Sequence, residues 1–558
     1  MFSRVLIANR GEIAVRIART CSELGVQTVA VYSDPDSAAR HAASADETVH
    51  LPGRTPADTY LDGAAIISAA HASGAEAVHP GYGFLAEDAH FARAVSASGL
   101  VWVGPPPEAM ESVADKLSAR RLAQAAGVPL VPGMLEPAAS STDVVAFGAE
   151  HGYPVAVKAA GGGGGRGLRV VHAAHEAGAA LAAARREGLS YFGDDTVYVE
   201  RYLDAPKHIE VQILAPGPDE AMALGLRDCS LQRGYQKLIE ESPPPRWADR
   251  APEMSSAAVA LSKACGYVNA GTVEFLLDDD GRPYFLEVNA RLQVEHTVTE
   301  EIYGIDLVAC QLRIASGEPL GMEAGAEASG HAIECRINAE DPAKGFMPSP
   351  GVIAAYREPG GRGVRVDSGY GAGDSVPDAY DSLVAKVIVW GADRPEARAR
   401  MLRALDDFVV EGIATNLRAL HTVVAHEAFS SGWHTTATLA EAGVLGPGPG
   451  SGSGPPAEST PPGYVQVDGA QAPLWHPAIA KATSGRTAEE GIVAPLQGTV
   501  LEVAVRPGDR VEPGQALVVL EAMKMVTTVC AARGGTVTAV SVHAGEAVAA
   551  AQVLAVIE

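Results

Sequence analysis

Two stretches near the end of this 558-residue chain repeat one pattern. Gly498 to Val511 reads GTVLEVAVRPGDRV, and Gly535 to Val548 reads GTVTAVSVHAGEAV. The match continues, with Gln515, Leu517, Val519 and Glu521 corresponding to Gln552, Leu554, Val556 and Glu558. Both copies alternate apolar and polar residues between Gly and Pro, which predicts short half-buried strands and turns. A duplicated pattern of this kind predicts two related half-sheets. Glu521-Ala522-Met523-Lys524-Met525 falls where the first copy gives way to the second, in a connection expected at the surface. An exposed lysine is ordinarily a solvated charge. Here it stands between two methionines that have no core-packing explanation, so the ordinary reading is weak.

The remaining length is enough for several domains. The formal charge of −25 argues against a nucleic-acid partner, which needs a basic surface. Six scattered cysteines (Cys21, Cys229, Cys265, Cys310, Cys335 and Cys530) form no C-x-x-C pair, so neither a zinc site nor a disulfide framework is expected. Reduced thiols, and a first strand with no signal peptide before it, predict a cytoplasmic protein. No apolar run is long enough to span a membrane, so no membrane partner is expected. Only nine of the 43 basic residues are lysines. Arg can replace Lys on most surfaces but not at a phosphate or a modified amine. Four of the nine, Lys116, Lys158, Lys237 and Lys524, fall where chemistry is expected.

Residues 1–113 alternate short apolar strands with helical runs, which implies parallel strands and crossover helices. Asn9-Arg10-Gly11-Glu12-Ile13-Ala14 follows the first strand, and His79-Pro80-Gly81-Tyr82-Gly83-Phe84-Leu85-Ala86-Glu87 forms a second strand-to-loop turn. Taken singly, each is a glycine turn. Further on, a strand ending in Lys158 runs into five consecutive glycines, Gly161 to Gly165, then Arg166 and Gly167. Such a run loses much entropy when ordered. Set between strand-like segments, it favours a loop whose backbone N–H groups close over phosphates. It is not a Walker A loop, because G-K-[ST] is absent.

Glu274 and Glu287 each sit inside an apolar, strand-like segment, where a carboxylate is costly unless it is paired or bound to metal. Mg²⁺ takes oxygen ligands and bridges them to phosphates. Arg291-Leu292-Gln293-Val294-Glu295-His296 follows at once. Alternation is expected to send Arg291, Gln293 and Glu295 to one face. A guanidinium grips a small planar oxyanion there, and a carboxylate on the same face can take its proton. His208-Ile209-Glu210 contains H-x-E, but no P-C-x-x-C accompanies it, so a zinc deaminase is not expected.

These motifs carry resemblances. Ala522-Met523-Lys524-Met525 resembles the A-M-K-M signature of biotinyl domains over 491–558, although Ala494-Pro495-Leu496-Gln497-Gly498 departs from the usual A-P-M-P-G. V-L-I-A-N-R-G-E-I-A and H-P-G-Y-G-F-L-A-E look like the N-terminal part of a biotin carboxylase. Lys116 and Lys158 with the glycine loop resemble the ATP-grasp arrangement, and Asn289 to His296 is similar to the family's N-x-R-x-Q-V-E-H. Asp228 to Lys237 matches D-C-S-x-Q-R-R-x-Q-K, with Gly234 in place of the second Arg and Tyr235 at a position that is His or aromatic in members.

The resemblance implies an α/β architecture: a pre-ATP-grasp parallel domain (1–113), an ATP-grasp domain (114–320) and a biotin carboxylase C-terminal domain (330–440). A flexible linker (446–490) and an all-β biotinyl, lipoyl-like domain (491–558) would follow. As a free coil that linker would span ~35–40 Å root-mean-square. A strand island at Tyr464 to Asp468 is expected inside it. Implied nucleotide ligands are Lys116, Lys158, Gly163, Gly164, Gly165, Gly167, Glu200, Arg201, Leu203, His208, Tyr235, Glu274 and Glu287. Glu274, Glu287 and Asn289 would hold Mg²⁺ or Mn²⁺. Arg291, Gln293, the Val294 N–H and Lys237 would bind bicarbonate, with Glu295 the base and Arg336 near the biotin ureido oxygen. Lys524 would carry biotin on an amide. The implied function is the alpha subunit of an acetyl- or propionyl-CoA carboxylase, oligomeric, using ATP and bicarbonate. Its partners would be a biotin protein ligase and a carboxyltransferase beta subunit. The alternatives are the ATP-using subunit of a two-subunit pyruvate carboxylase and, in a different class, a non-catalytic biotin or lipoyl carrier.

Overall fold

The computed structural model describes every residue except 162–166, 321–326, 442–463, 468–469, 474–490, 496, 523–524, 550–551 and 558. Gly163, Gly164, Gly165 and Lys524 therefore lie outside the described residues.

The chain begins with β1 (Arg4–Ile7), β2 (Gln27–Tyr32), β3 (Glu47–His50), β4 (Ala77–His79) and β5 (Val101–Trp102). They form one sheet of order β3-β2-β1-β4-β5, parallel at every pairing. Val5, Leu6 and Ile7 of the central strand are fully buried, which explains why β1 is apolar rather than alternating. Strand order reverses at β1, and the loops after β1 and β4 lie side by side there, as at the crevice of an open α/β sheet. The Asn9 side chain ties them together, donating to the Pro80 carbonyl at 2.6 Å and the Tyr82 carbonyl at 2.8 Å. The two N-terminal motifs of the sequence are thus one structural unit.

A second, antiparallel sheet contains β6 (Val155–Ala159), β7 (Leu168–Val171) and β8 (Val197–Arg201) in the order β7-β6-β8. Its apolar face packs with the helices Ser141–His151 and Ala177–Phe192.

The largest sheet has eight strands and is antiparallel throughout. β9 (Lys207–Gly217), β10 (Glu220–Arg233), β11 (Gln236–Ser242), β12 (Asn269–Leu277), β13 (Pro283–Asn289) and β14 (His331–Asn338) are joined by Leu383–Gly391 and Val364–Ser368. The order is β13-β12-β9-β10-β11-β14, then Leu383–Gly391, then Val364–Ser368 at the far edge. The segments read from sequence as two domains thus share one continuous sheet, joined where β11 pairs with β14. β10 and β11 connect through Gly234 and Tyr235, at φ +53° and +69°, with Arg233 opposite Gln236. A two-residue turn with both central residues at positive φ matches strand twist, which accounts for glycine where the family motif has arginine.

The C-terminal repeat folds as two four-stranded sheets. Gly498–Val503 and Gly535–Val540 hold equivalent places, and the short strands exchange: Arg510–Val511 pairs with the second copy and Ala547–Val548 with the first. Val500 and Val537, Leu517 and Leu554, and Val511 and Val548 are equivalent core residues. Ala516–Ala522 pairs with Met525–Cys530 through Ala522 and Met525, on either side of residues 523–524. Within 446–490, Tyr464–Val467 pairs with Ala470–Pro473, so the strand island acquires a partner there. No described helix is long and apolar enough to cross a membrane.

Val364–Ser368 leads into Gly369, which passes against the start of the helix Gly11–Glu23. A Cβ at Gly369 would lie 2.6 Å from the Glu12 backbone nitrogen and 2.8 Å from the Gly11 carbonyl carbon. Gly369→Ala should therefore destabilise the protein by about 1–3 kcal/mol, read as a lowered thermal midpoint. At Gly371 the nearest atom is Asp374 Oδ2 at 3.7 Å, and Gly371→Ala should stay within about 0.5 kcal/mol.

Candidate active site

Register sets the site. In β13, β12, β9 and β10, Glu287 lies opposite Glu274, Glu274 opposite Glu210, and Glu210 opposite Arg227. Residues opposite one another share a face, so a charged row crosses four strands. A bulge directly follows the Glu274–Glu287 pair, and bulges of this kind re-aim side chains. β13 is the sheet edge, and Glu287 keeps 30% of its side chain exposed against 5% for Glu274.

Buried carboxylates this close need cations. Lys237, from β11, donates to Glu210 at 2.7 Å, Glu274 at 2.9 Å and Glu295 at 2.6 Å. Arg227 is fully buried and reaches Glu210, Gln212, Thr272 and Thr299. Arg336, from β14, joins Glu240 at 2.6 Å to Glu295 at 2.9 Å. Burial alone would raise the Glu295 carboxyl, but Lys237, Arg336 and Arg227 hold it well below the usual carboxylate range. Burial likewise works against the Lys237 ammonium, and its three carboxylates raise it well above the usual range. Burial raises Glu240 to about 8 in spite of Arg336.

The segment 290–295 corrects one expectation. It is an irregular loop running into the helix His296–Tyr303, not an alternating strand. Pairing ends at Asn289, opposite Thr272. Arg291, Gln293 and Glu295 still converge, through partners rather than alternation. The Arg291 guanidinium donates to Gln293 Oε1 at 3.1 Å and Asn289 Oδ1 at 3.1 Å. Gln293 and Asn289 both donate to Glu274 Oε1, at 3.1 and 2.9 Å. Glu87, the last residue of the second N-terminal motif, braces the loop, 3.0 Å from Arg291 Nε and 3.2 Å from the Ala290 N–H. Lys386 donates to the Val294 carbonyl at 2.8 Å.

Toward the three-stranded sheet, Lys116 donates to Glu287 at 2.5 Å, and Lys158 pairs with Glu200. Glu200 also accepts from Arg120 at 2.9 Å. The Arg201 N–H is taken by the Pro132 carbonyl at 2.8 Å. Leu203 follows two residues later, and Gly167 heads β7. His208 lies 2.9 Å from Glu274 Oε2 and 2.7 Å from Gln232 Nε2. Tyr235 stands on its turn, 56% exposed.

The oxygen donors Glu274, Glu287 and Asn289 fit a hard divalent cation. The two glutamates are opposed in register; Lys237 and His208 hold Glu274 well below the usual carboxylate range against the push of burial, and Lys116 pairs with Glu287. Among the described residues, His208, Glu210 and Glu274 also bring ligand atoms within 4.8 Å of one another. The sequence motifs assign no role to Glu210, Arg227, Glu240, Glu87 or Lys386. Glu210 and Lys386 carried the same signal as Glu274, a charge inside an apolar strand.

The opposite face of the sheet carries a second ionic cluster. Asp228 lies opposite Glu241 in register. Lys207 donates to Asp228 at 2.6 Å, and His434 lies 3.3 Å from Asp228 and 3.6 Å from Glu241. Glu241 also accepts from His331 at 2.7 Å and from Arg394. Those bonds hold it down to about 2 against the upward push of burial.

Four family models match in order: the biotin carboxylase N-terminal domain at 1–110, the carbamoyl-phosphate synthase L chain ATP binding domain at 115–323, the biotin carboxylase C-terminal domain at 334–441 and the biotin-requiring enzyme model at 490–557. The biotin-dependent acyl-coenzyme A carboxylase alpha3 subunit of Mycobacterium leprae is 44% identical over 96% of this chain and 95% of its own. A pyruvate carboxylase subunit of Methanothermobacter thermautotrophicus is 45% identical over 77% of this chain and 88% of its own. Among solved structures, the biotin carboxylase domain dimer of Hydrogenobacter thermophilus 2-oxoglutarate carboxylase, in complex with MgADP, ADP and bicarbonate, is 43% identical with a TM-score of 0.77. It covers 80% of this chain and 99% of that one. The chain therefore belongs to the biotin-dependent carboxylases, as an ATP-dependent biotin carboxylase joined to a biotin-requiring domain.

Proposed function

We propose that this chain is the alpha subunit of an acyl-CoA carboxylase, which carboxylates biotin on Lys524 for transfer by a separate carboxyltransferase subunit. The observation that carries the catalytic half is the Lys237 ammonium shared by Glu210, Glu274 and Glu295, with Arg291, Gln293 and Arg336 around it. Bicarbonate is a poor electrophile, so ATP has to activate it. In this reading Arg291, Gln293 and the Val294 N–H grip the anion, and Glu295, held ionised, takes its proton. Bicarbonate then attacks the γ-phosphoryl group, the bond to ADP breaks, and the carboxyphosphate so formed splits into CO₂ and phosphate. Lys116, Lys158 and Lys237 would stabilise the charge that develops. An anion that draws Lys237 toward itself removes one of the cations holding Glu295 down, so binding strengthens the base.

Mg²⁺ held by Glu274, Glu287 and Asn289 would neutralise phosphate charge. Glu200, the Arg201–Leu203 backbone, His208 and Tyr235 would take the nucleotide, and Gly163, Gly164, Gly165 and Gly167 are assigned to its phosphates. Bound biotin would supply the nitrogen that accepts this CO₂, and Arg336 would hold its ureido oxygen. The segment 446–490 tethers the carrier. None of the six cysteines forms a disulfide, which fits a reducing cytoplasm. The dimeric Hydrogenobacter relative supports an oligomer, and attachment on Lys524 requires a biotin protein ligase.

Acceptor choice is the finer step. The acyl-CoA carboxylase relative aligns with almost the whole chain, carrier included, whereas the pyruvate carboxylase relative matches 77% of it. That favours an acyl-CoA over a 2-oxo acid.

Glu295→Gln should lose bicarbonate-dependent ATP turnover in the presence of free biotin while still binding Mg-nucleotide, because it removes a base rather than a phosphate contact. Undiminished turnover would mean that the base lies elsewhere. For the carrier and acceptor, the holo-chain is incubated with ATP, labelled bicarbonate and acetyl- or propionyl-CoA. Label should stay on the protein, vanish in Lys524→Arg, and pass to the acyl-CoA only when a carboxyltransferase subunit is added. Labelled malonyl- or methylmalonyl-CoA from this chain alone would refute the division of labour.

A further inference from the structure

Lys386 is 0% exposed, in the middle of the strand Leu383–Gly391, and the reaction outlined above gives it no part. A lysine is almost never fully buried unless something requires its charge. Its nearest partner is not an acid. The ammonium donates to the Val294 carbonyl at 2.8 Å, whereas Glu12 Oε1 is 3.6 Å away, at ion-pair range. Glu12 comes from the first N-terminal motif, and both its carboxylate oxygens are buried without a hydrogen-bond donor. The Tyr82 ring, from the second motif, lies 5.8 Å from the ammonium. Arg336 and Asp367 flank Lys386 in register on the neighbouring strands.

The Val294 carbonyl belongs to the Val294–Glu295 peptide. That peptide joins the N–H assigned to the anion to the carboxylate assigned to its proton. The same turn is fixed on its other side by His296 Nδ1, 2.7 Å from the Gln293 carbonyl. An ammonium on the carbonyl between them fixes the peptide plane, and with it the spacing of the two groups.

We infer that Lys386 is a positioning residue for the anion-binding turn, holding the Val294–Glu295 peptide from inside the protein with Glu12 as its counter-charge. The inference rests on the bicarbonate reading given above. It explains why N-R-G-E-I-A carries a glutamate into the protein interior.

The test is steady-state ATP turnover by the full chain, with bicarbonate and Mg-ATP varied separately. Lys386→Met keeps the length of the side chain. Glu12 is already raised to about 8, chiefly by burial, so without Lys386 it can take up a proton rather than remain a bare charge. The double variant Glu12→Gln/Lys386→Met removes both charges and guards against a misfolded single variant. Both variants should raise the KM for bicarbonate at least about tenfold and leave the KM for Mg-ATP within about twofold, as expected for the loss of one charge-assisted hydrogen bond at the anion turn alone. Arg291→Lys, which loses the planar fork, is measured alongside. A raised bicarbonate KM in Arg291→Lys with none in the Lys386 variants would overturn this inference and leave the bicarbonate reading standing. An unchanged KM in all three would overturn both. Equal rises in both KM values, or a fall in kcat alone, would make Lys386 a general structural residue and also overturn the inference.

Discussion

One ammonium group holds the site together. Lys237 takes three carboxylates within hydrogen-bond reach. Two of them, Glu210 and Glu295, are wholly buried. Glu210 and Glu274 are forced together by the register of β9 and β12, and Glu295 arrives from the loop after β13. Without a cation these groups would repel one another in a medium that screens poorly. Breaking a buried ion pair by removing one partner typically costs about 3–5 kcal/mol. The register that crowds the carboxylates is matched by a cation from β11 that reaches all three of them.

The rest of the architecture serves that point. The continuous sheet sets Glu287, Glu274, Glu210, Arg227, Lys237 and Arg336 on six successive strands. The Glu295 carboxylate that meets Lys237 from β11 also meets Arg336 from β14. The parallel N-terminal sheet contributes from outside, with Glu87 bracing Arg291 and Glu12 facing Lys386. The three-stranded sheet brings Lys158 and Glu200 together.

Much of this was legible in the chain. The C-terminal duplication predicted paired half-sheets, because alternation, turns and repeat all point one way. Glu274 and Glu287 stood out because a charge in an apolar strand needs a reason. Glu210, Arg227 and Lys386 carry the same signal, but Glu210 enters only through an H-x-E that leads nowhere and no motif marks the other two, and the register that places Glu210 opposite Glu274 depends on strands distant in sequence. The loop 290–295 alternates like a strand without being one, because alternation alone does not say whether a neighbouring strand is there to pair with. Glu87 could not have been assigned to Arg291, since about two hundred residues separate them and only the docking of two sheets brings them together.

The middle strands of the large sheet are charged on both faces, with Arg227 and Glu210 on one side and Asp228, Lys207 and Glu241 on the other. Hydrophobic alternation ordinarily guards strand register, because a one-residue slip turns an apolar face to water. Here a different guard operates. Sliding β10 by one residue along β9 would set Asp228 against Glu210, so a misregistered sheet meets like charge where the native one meets a salt bridge. The charges on the two faces therefore also proofread the register of the strands that carry them.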